Sequence, residues 1–358
     1  MIITKAPFRI SLFGGGSDLA DYYREAHAAV LSTTIDKYMY ISTHTYFDAD
    51  KITAKYSVTE LVTGAKQLKH PIIREALLRF GIDGALEISS IADIPAGTGL
   101  GSSSAFTVAL LHNLYARQSR YATKEMLADG ACDIEIETLR EPIGKQDQYA
   151  AAYGGLNVFT FLPTGQVNVE PILLPAAHQQ AFAGSMLLYF TGKSRPASSI
   201  LAEQKGNMAH ADKRAVVAKM VDLVGTGREA LYAGDIETVG RLLHQSWLWK
   251  RELATNISSG EIDAIYAHAR EHGAIGGKVL GAGGGGFLLL ICEPHKQEGL
   301  RQAMSALREI RFNLENHGSQ VIYFADESGA PTPPGPVATS GVAPLAPAPA
   351  NTAPKDKR

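Results

Sequence analysis

The segment Pro95–Ala105, PAGTGLGSSSA, is the feature that most constrains the fold of this chain. Three glycines at alternating positions let the backbone approach a ligand closely and adopt conformations that other residues avoid. Three serines then open the segment FTVALLHNLY, whose apolar spacing predicts a helix. Because a helix N-terminus presents unpaired N–H groups and a positive dipole end, a glycine loop before a helix predicts a phosphate cradle. The alternative is a flexible turn with an ordinary serine cap, for which one serine would suffice.

Two known phosphate-binding motifs do not fit the chain. The P-loop string G-x-x-x-x-G-K-[ST] does not occur. The dinucleotide fingerprint G-x-G-x-x-G fails at the first loop because Ser102 takes the place of the last glycine. The fingerprint does match Gly281–Gly286, but these glycines lead into the strand-like segment Phe287–Cys292 rather than into a helix. The required context is reversed, and we reject both motifs.

Length, composition and charge exclude several classes of protein. The 358 residues suit two domains of ordinary size, and a hydrophobic share of 45% with 20% charged residues can build a substantial core. A net charge of -2 lacks the basic excess that non-specific nucleic-acid binding needs. Cys132 and Cys292 are far apart and are the only cysteines, so we expect neither a disulfide framework nor a CxxC metal knuckle.

The apolar runs of the chain are short. The N-terminal sequence MIITKAPFRISLF lacks the basic region and long apolar stretch of a signal peptide. The longest aliphatic run, Phe287–Cys292, is far shorter than the roughly 20 residues of a membrane span. We therefore expect a cytoplasmic protein that binds neither membranes nor nucleic acid. None of the 11 histidines has a metal-binding spacing such as HExxH, so we expect no zinc site.

Strand-like and helix-like segments alternate without a strict β-α-β repeat, which favours the α+β class. Strands are predicted at Ile2–Phe13, Tyr38–Tyr46, Leu156–Phe161, Ser185–Phe190, Phe287–Cys292 and Gln320–Phe324. Helices are predicted at Pro71–Phe80, Ser103–Tyr115, Lys124–Thr138, Ile262–His272 and His295–Asn316. A longer helical stretch runs from Ser198 to about Ala254, with breaks predicted near Gly225–Gly227 and near Gly234.

The pattern changes from mixed to mostly helical near residue 180, and this change predicts a domain boundary. We expect a first domain over residues 1–180 and a second over 181–326. Residues 327–358 consist almost entirely of Pro, Ala, Gly, Ser and Thr and offer no periodic apolar face, which predicts a disordered tail. The alternative for this tail is a proline-rich ligand for a partner domain.

Two further segments carry motifs that belong with the first loop. Ala6–Asp18, APFRISLFGGGSD, is a strand that runs into a glycine turn ending in a carboxylate. Gly276–Phe287, GGKVLGAGGGGF, is a second glycine-rich loop. With Pro95–Ala105, these segments resemble the three motifs of the GHMP kinase superfamily, which is named for galactokinase, homoserine kinase, mevalonate kinase and phosphomevalonate kinase. The resemblance spans residues 2 to about 325.

The resemblance implies a two-domain α+β fold with a catalytic cleft. The N-terminal domain would be similar to ribosomal protein S5 domain 2, and the C-terminal domain would be ferredoxin-like. ATP would lie against the first glycine loop, in the cleft between the domains. The ATP contacts that the resemblance implies are Pro95, Gly97, Gly99, Leu100, Gly101, Ser102, Ser103 and Ser104.

Within the superfamily, the ending Gly-x-Ser-Asp resembles the sugar kinases, in which an aspartate at this place holds sugar hydroxyls. Asp18 is short, anionic and next to flexible glycines, which suits a polyol ligand. On residue chemistry alone, Asp18 also fits an Asx-turn or a cap for a helix that starts near Leu19. The substrate contacts implied here are Gly15, Gly16, Ser17, Asp18 and, from a later segment, Gly155.

The resemblance also assigns catalytic roles. Glu135 precedes Asp147 by twelve residues (147 − 135), which resembles the spacing between the Mg²⁺-binding glutamate and the catalytic aspartate of galactokinase. Phosphoryl transfer to a hydroxyl needs a carboxylate to deprotonate the nucleophile and cations to neutralise the phosphate. Asp147 would be the catalytic base, and Arg9 would balance charge on the transferring phosphoryl group. Ser103 and Glu135 would hold Mg²⁺, and Glu137 is the rival ligand if the loop length differs.

Four segments, GGGSDL, STTIDKY, GKQDQYAAAYGGLN and YFTGKSR, together resemble the bacterial D-glycero-D-manno-heptose 7-phosphate kinases. Those enzymes phosphorylate the anomeric hydroxyl and give a 1,7-bisphosphate. Kinases of octose phosphates and fucokinase domains are also similar, whereas the galactokinase signature G-E-H-T-D is absent. Some proteins of this fold are sensors that bind ATP and sugar without turnover. The presence of both Asp147 and Arg9 favours a catalyst.

Two predictions concern isolated basic residues. A kinase that accepts a sugar phosphate needs cationic donors away from ATP, and Lys193 and Arg195 lie in a turn after a predicted strand. We expect this pair to bind the acceptor's own phosphate, and the alternative is a solvated basic turn. Lys250 follows His244 and Trp247 at helical spacing, which favours packing of this helix on its neighbours.

Overall fold

The computed structural model describes residues 1–193 and 198–325, and within that range it confirms an α+β fold with two sheets. The strands are β1 (Ile2–Phe13), β2 (Ala28–Thr45), β3 (Ile52–Lys55), β4 (Thr59–Val62), β5 (Leu86–Ala92), β6 (Asn157–Phe161), β7 (Val167–Pro171), β8 (Met186–Phe190), β9 (Ala274–Val279), β10 (Phe287–Cys292), β11 (Arg308–Glu309), β12 (Leu314–Glu315) and β13 (Gln320–Phe324). The helices are α1 (Ala20–Tyr23), α2 (Pro71–Arg79), α3 (Ser102–Arg117), α4 (Lys124–Cys132), α5 (Gln146–Tyr153), α6 (Ala176–Ser185), α7 (Ser198–Asn207), α8 (Ala211–Ala233), α9 (Ile236–Lys250), α10 (Gly260–Glu271) and α11 (Gln297–Ala303).

The first sheet is built around the long antiparallel pair β1 and β2. Its path runs β13-β1-β2-β5-β3-β4, while β6 and β12 also pair with β2, and β7 pairs with β6. Helices α3 and α5 pack against β1 and β2, so the second half of β1 is buried throughout. This half carries Arg9 and ends at Phe13, directly before the first glycine turn. The sheet thereby places the segment Ala6–Asp18 at one edge of the domain.

The second sheet has the order β11-β8-β10-β9 and is antiparallel throughout. The runs MLLYF in β8 and FLLLIC in β10 are almost entirely buried. Helix α9 packs against β9, and α8 packs against α9. Trp247 anchors α9 because its side chain is fully buried. This packing fixes the position of the last turn of α9, which contains Lys250.

The last strands return to the first sheet. β12 pairs with β2, and β13 pairs with the start of β1, with Ile2 opposite Phe324. The sequence-based range 181–326 is therefore wrong as one continuous domain, since its final strands complete the sheet of residues 1–180. The sequence pattern missed this because a strand carries no information about which sheet it will join.

Three predicted helical boundaries need correction. The predicted helix His295–Asn316 holds only the short helix α11 and then the strands β11 and β12. No break occurs at Gly225–Gly227, since α8 runs through it to Ala233. A Cβ at Gly227 would lie 2.5 Å from the Phe13 ring, so this glycine serves close packing rather than a turn. The break at Gly234 is confirmed by its φ of 70°. The predicted helix Lys124–Thr138 continues from α4 into a π-helical turn, Asp133–Thr138.

Two sequence-based predictions lie outside the described residues. They are the disordered tail over residues 327–358 and the phosphate contact from Arg195. Among the residues that the structure describes, no helix has both the length and the apolar character that crossing a membrane would require.

Candidate active site

A cavity of about 480 Å³ lies between the two sheets, where the first glycine turn, the start of α3, the start of α5 and the second glycine loop converge. The second half of β1 and the last turn of α9 complete its walls. Most of the residues assigned from the sequence meet here. Those that line the cavity are Arg9, Gly15, Gly16, Asp18, Gly97, Gly99, Gly101, Ser102, Ser103, Ser104 and Asp147.

The first glycine loop has the backbone of an anion cradle. Gly97, Gly99 and Gly101 have φ values of 74°, 87° and 76°, a region that strongly favours glycine. Gly101 is the N-cap residue of α3, and no side chain caps this helix end. The interpretation of the serines as an ordinary cap is therefore wrong. The first turn of α3 faces the cavity with its backbone and with Ser102, Ser103 and Ser104, as the cradle interpretation predicts.

Arg9 and Asp147 form a two-bond ion pair in the cavity wall. Arg9 Nε donates to Asp147 Oδ1 at 2.7 Å, and Nη2 donates to Oδ2 at 2.7 Å. The remaining Arg9 nitrogen, Nη1, donates to the Gly99 carbonyl oxygen at 2.6 Å, which ties the pair to the glycine loop. Asp147 lies in the first turn of α5, where the helix dipole stabilises a carboxylate. The planar guanidinium thus fixes the orientation of the carboxylate beside the cradle.

Ser103 and Glu135 are in direct contact, as predicted for a pair of metal ligands. Ser103 Oγ donates to Glu135 Oε1 at 2.7 Å, and Gln148 Nε2 donates to Glu135 Oε2 at 2.6 Å. Ser103 lines the cavity, and Glu135 lies behind it with 1% of its surface exposed. Burial raises the pKa of Glu135, and these hydrogen bonds oppose the rise. Glu137 is exposed instead.

The two glutamates differ because the π-helical turn places them on different sides. Glu137 pairs with Arg140 at 3.2 Å on the surface. The oxygen atoms of Ser103 and Glu135 are the donor type that Mg²⁺ prefers, and their contact fits a small hard cation at the base of the cradle. Of the two carboxylates, Glu135 is the one beside the triple serine.

Asp18 is held against the start of α5. Its Oδ1 accepts hydrogen bonds from the Gly16 N–H at 3.1 Å and from Gln146 Nε2 at 3.0 Å, and its Oδ2 accepts from the Gln146 N–H at 3.2 Å. Burial, and secondly the nearby charge of Asp147, raise the pKa of Asp18. Helix α1 has Leu19 at its N-cap and no side-chain cap, so Asp18 does not cap that helix. The carboxylate links the glycine turn to the residue before Asp147.

Other predicted site residues, of which Ser17 and Leu100 are buried and Pro95 is exposed, lie outside the lining of the main cavity. Ser17 is fully buried, and its hydroxyl donates to the Ala29 carbonyl oxygen at 3.1 Å. Leu100 is also fully buried, and its carbonyl oxygen accepts from the Arg9 N–H at 3.1 Å. The Pro95 carbonyl oxygen accepts from Thr98 Oγ1 at 2.9 Å within the loop. These residues shape the loops rather than line the cavity.

Two predicted substrate contacts lie elsewhere. Gly155 lines a second cavity of about 520 Å³, and its N–H donates to Thr34 Oγ1 at 2.7 Å. Lys193 is exposed, and its ammonium group pairs with Glu261 of α10. Its side chain is thus engaged with Glu261, and Lys193 is not among the residues that line the main cavity, so its assignment to the acceptor's phosphate stays a prediction. A basic turn after a strand was a weak signal, since solvated turns have the same composition.

Sequence reasoning missed two lysines in the cavity wall. Lys250, in the last turn of α9, is 7% exposed, and Lys278, in β9, is 2% exposed. Burial lowers the pKa of Lys250 to about 7 and lowers the pKa of Lys278 well below its usual value. The packing interpretation holds for Trp247 and also for Lys250, which bonds to the carbonyl oxygens of Val279 and Gly281, but it did not foresee that Lys250 also lines the cavity. A lysine at the apolar spacing of a helix was the available signal, because such a residue is rarely buried without a role.

The second glycine loop packs backbone to backbone on the first. A Cβ added at Gly281 would lie 2.5 Å from Gly99 Cα, and one added at Gly286 would lie 2.3 Å from the Thr98 carbonyl oxygen. The Phe287 N–H donates to the same Thr98 oxygen at 3.1 Å. Because these contacts leave no room for side chains, the glycines of both loops are needed to close the cavity.

An apolar section of the cavity lies beside the start of α3. The His70 ring stacks on Phe106 with 5.0 Å between ring centroids, and Met39 and Ile72 line the same cavity. Burial lowers the pKa of His70, which favours the neutral ring. An aromatic and aliphatic surface of this kind suits a planar heterocycle. The sequence motifs gave no sign of this section, since its residues come from separate elements.

One cluster contradicts the expectation that no histidines share a metal spacing. One ligand atom from each of His268, Glu271 and His272 lies within 4.8 Å of the others on the exposed face of α10. The spacing is H-x-x-E-H, which the search for HExxH overlooked. The cluster lies outside the residues that line the main cavity.

Comparison with known proteins agrees with this geometry. The family description "GHMP kinases N terminal domain" matches residues 65–155, and "GHMP kinases C terminal" matches residues 228–309. The chain is 28% identical over 316 residues to D-glycero-alpha-D-manno-heptose 7-phosphate kinase of Campylobacter jejuni, covering 85% of this chain and 93% of the relative. It is 29% identical over 349 residues to galactokinase of Pyrococcus furiosus, covering 86% and 93%.

Solved structures share the fold. A putative sugar kinase from Campylobacter jejuni superposes with a TM-score of 0.69 at 26% identity, covering 89% of this chain and 97% of that one. A D-glycero-D-manno-heptose 1-phosphate kinase from Bacteroides thetaiotaomicron superposes with a TM-score of 0.75 at 24% identity, covering 91% and 100%. Both matches and the two-sheet fold lead to one conclusion: the chain carries the N-terminal and C-terminal domains of the GHMP kinases.

Proposed function

We propose that this chain is an ATP-dependent sugar kinase that phosphorylates the anomeric hydroxyl of a sugar phosphate. The acceptor we propose is D-glycero-D-manno-heptose 7-phosphate, and the product is the 1,7-bisphosphate. The observation that carries the proposal is the Arg9–Asp147 pair, oriented by two hydrogen bonds of 2.7 Å beside the glycine cradle. A carboxylate next to a phosphate cradle is the arrangement that phosphoryl transfer to a hydroxyl needs.

In the proposed reaction, the acceptor, Asp147, ATP and Arg9 each have a defined role. The anomeric hydroxyl gives its proton to the Asp147 carboxylate, and its oxygen forms a bond to the γ-phosphorus of ATP. The bond between that phosphorus and the oxygen bridging to the β-phosphate breaks, and ADP leaves with the electron pair. Arg9 holds Asp147 in place and adds positive charge beside the oxygens of the transferring group.

The other residues of the cavity bind the two substrates. The first turn of α3 and Gly97–Gly101 would bind the ATP phosphates, while His70 and Phe106 offer a surface for the base. Ser103 and Glu135 would hold Mg²⁺, which supplies charge neutralisation of the phosphate oxygens when it is bound. Asp18, held by Gln146, would accept hydrogen bonds from the sugar hydroxyls near Asp147.

The choice of a heptose phosphate is supported by the relative from Campylobacter jejuni, whose name states that activity. The galactokinase relatives and the bifunctional fucokinase of Arabidopsis thaliana keep a galactose or fucose acceptor as the alternative. An octose phosphate is a further alternative, because it presents the same anomeric hydroxyl. A non-catalytic sensor is the alternative from another class, and the oriented Arg9–Asp147 pair argues against it.

An ADP-release assay with a panel of acceptors tests the proposal. The panel contains heptose 7-phosphate, the unphosphorylated heptose, an octose phosphate, galactose and fucose, each with ATP and Mg²⁺. We expect the highest kcat/KM for heptose 7-phosphate. A higher kcat/KM for any other acceptor would show that this acceptor, and not heptose 7-phosphate, is the substrate. Binding of ATP and sugar without ADP release would show that the protein is a sensor and not a kinase.

A further inference from the structure

The ammonium groups of Lys250 and Lys278 are buried in the cavity wall without a carboxylate partner in the described part of the chain. Lys250 Nζ donates to the carbonyl oxygens of Gly281 and Val279, and Lys278 Nζ donates to the Leu12 carbonyl oxygen at 3.0 Å. Buried lysines are rare unless they are paired, because removing an ammonium from water is costly. Main-chain carbonyl oxygens satisfy the N–H groups but bring no negative charge.

The two lysines lie in one group of positive charges. The charge of Lys250 acts on Arg9, Asp147 and Asp18, and the charge of Lys278 acts on Lys250 and Arg9. Arg9 already neutralises Asp147 through its two hydrogen bonds. Like charges in a low-dielectric wall repel one another. Three cationic groups therefore share this wall with the two carboxylates of Asp147 and Asp18, which leaves a positive charge for an anion in the cavity to balance when both lysines are protonated.

A purely structural role explains part of this arrangement. Lys250 bonds the Gly281 carbonyl, and Gly281 packs on Gly99, so Lys250 supports the contact between the two glycine loops. A neutral side chain with an N–H group would give that support without the cost of a buried charge. Two adjacent lysines next to Arg9 are not explained by support for one loop, since their mutual repulsion opposes it.

We propose that Lys250 and Lys278 bind, together with Arg9, the γ-phosphate of ATP as it is transferred. This proposal rests on the proposed kinase function. It adds that the second domain contributes two lysines to binding of the γ-phosphate. The γ-phosphate is the anion that must lie between the cradle and Asp147, and both lysines line the same cavity as these groups. The charge of Lys250 interacts with that of Asp147. The phosphate of a seven-carbon acceptor would lie at the far end of the sugar, away from Asp147.

This geometry predicts that nucleotide binding is coupled to proton uptake by the lysines. Burial and, secondly, the positive charge of Arg9 disfavour the charged form of Lys250, so its pKa falls to about 7. A bound γ-phosphate adds negative charge to the group formed by Lys250, Lys278, Arg9, Asp147 and Asp18, and this raises the pKa of both lysines. Binding of a nucleoside triphosphate at pH 8 should therefore take up protons, whereas a diphosphate should take up fewer.

Calorimetric titration of the full chain with Mg²⁺ and either AMP-PNP or ADP tests the proposal. We expect Lys250→Met and Lys278→Met each to weaken AMP-PNP binding about 10-fold or more and ADP binding less than about 2-fold. Repeating the titration at pH 8 in buffers with different ionisation enthalpies measures proton uptake, which Lys250→Met should reduce. Arg251→Ala is the matched control, since Arg251 follows Lys250 but pairs with Asp263 on the surface.

The outcomes separate this proposal from the proposed function. Equal losses of affinity for AMP-PNP and ADP would show that the lysines have a structural role. A loss of affinity confined to the sugar phosphate would show that they bind the acceptor. Either result overturns the proposal. Failure of the wild-type chain to bind either nucleotide would overturn the kinase function itself. If Lys250→Met does not fold, Lys250→Arg serves instead. A fixed charge should keep AMP-PNP affinity within about 3-fold and reduce the proton uptake to the share that Lys278 contributes, and unchanged uptake would overturn the proposal.

Discussion

The two walls of the cavity differ in how their charges are balanced. In the wall from the first domain, Arg9 pairs with Asp147, and Glu135 accepts hydrogen bonds from Ser103 and Gln148. In the wall from the second domain, the lysines bond only to main-chain oxygens in the described chain. The first wall is thus oriented by its own ion pair and hydrogen bonds, whereas the lysines of the second wall form no ion pair in the described chain and interact with the charges of Asp147 and Asp18 without bonding to them. We infer that the first wall positions the chemistry and the second wall responds to the nucleotide.

Removing the base from the first wall should cause the largest loss of activity. Asp147→Asn keeps the size of the side chain but removes the proton acceptor, so we expect kcat to fall on the order of 10²-fold or more. Binding of ATP and sugar should remain nearly intact. Steady-state kinetics with separate nucleotide titrations measure both quantities. A variant that keeps most of its kcat would remove Asp147 from the role of base.

The metal ligands of the first wall give the next largest effect. Ser103→Ala and Glu135→Ala should each raise the Mg²⁺ concentration for half-maximal activity by on the order of 10-fold, because each removes an oxygen donor. Glu137→Ala is the matched control and should change it much less, since Glu137 pairs with Arg140 at the surface. A stronger effect at Glu137 than at Glu135 would show that the register of the ligands is off by two residues.

Arg195 tests whether the second domain also recognises the acceptor. If Arg195 binds the sugar's own phosphate, Arg195→Ala should raise the KM for heptose 7-phosphate about 10-fold, because a charge-assisted hydrogen bond contributes roughly 1.5–3 kcal/mol. The KM for ATP should barely change. Lys193→Ala tests the other half of the predicted pair, and a smaller effect is expected because Lys193 pairs with Glu261. Equal losses on phosphorylated and unphosphorylated heptose would assign Arg195 to the fold.

The smallest effect concerns stability and pH. The pKa of Lys250 is lowered to about 7 in the folded chain, so between about pH 7 and pH 9 the unfolded state binds more protons at this group. The free energy of unfolding should therefore rise with pH, by at most about 1.4 kcal/mol per pH unit from this lysine. Lys250→Met should flatten the rise, as measured by urea unfolding at several pH values. An identical slope in the variant would mean that Lys250 keeps an ordinary pKa.

The sequence predicted most of the first wall because its residues lie in contiguous motifs. Pro95–Ala105 and Ala6–Asp18 each carry several constraints within a few positions, so they resemble the GHMP kinase motifs, and that resemblance implied the single site at which Arg9, Asp18 and the triple serine meet. The choice of Glu135 over Glu137 depended on a twelve-residue spacing. The π-helical turn that separates the two side chains has no sequence signature of its own.

The second wall was harder to predict because it forms through tertiary contacts. Lys250 has the spacing of a packing residue in α9, and only the approach of α9 to β9 shows that its ammonium faces a cavity. Lys278 lies in the second glycine-rich segment, Gly276–Phe287, but that segment was interpreted through its glycines alone. The H-x-x-E-H cluster, by contrast, is visible in the sequence at His268, Glu271 and His272, so the expectation that the histidines have no metal-binding spacing was wrong.

The return of β13 to β1 has a consequence for synthesis of the chain. The bond between the Met1 amino group and the Ala325 carbonyl oxygen joins positions that are 324 apart in sequence. Closing so long a loop costs entropy before the strand pairing stabilises the sheet, so this edge forms late. On the ribosome, β1 emerges first and β13 emerges after the whole second domain. One side of β1 thus stays open to other strands throughout translation, and chaperone binding to nascent chains should concentrate there.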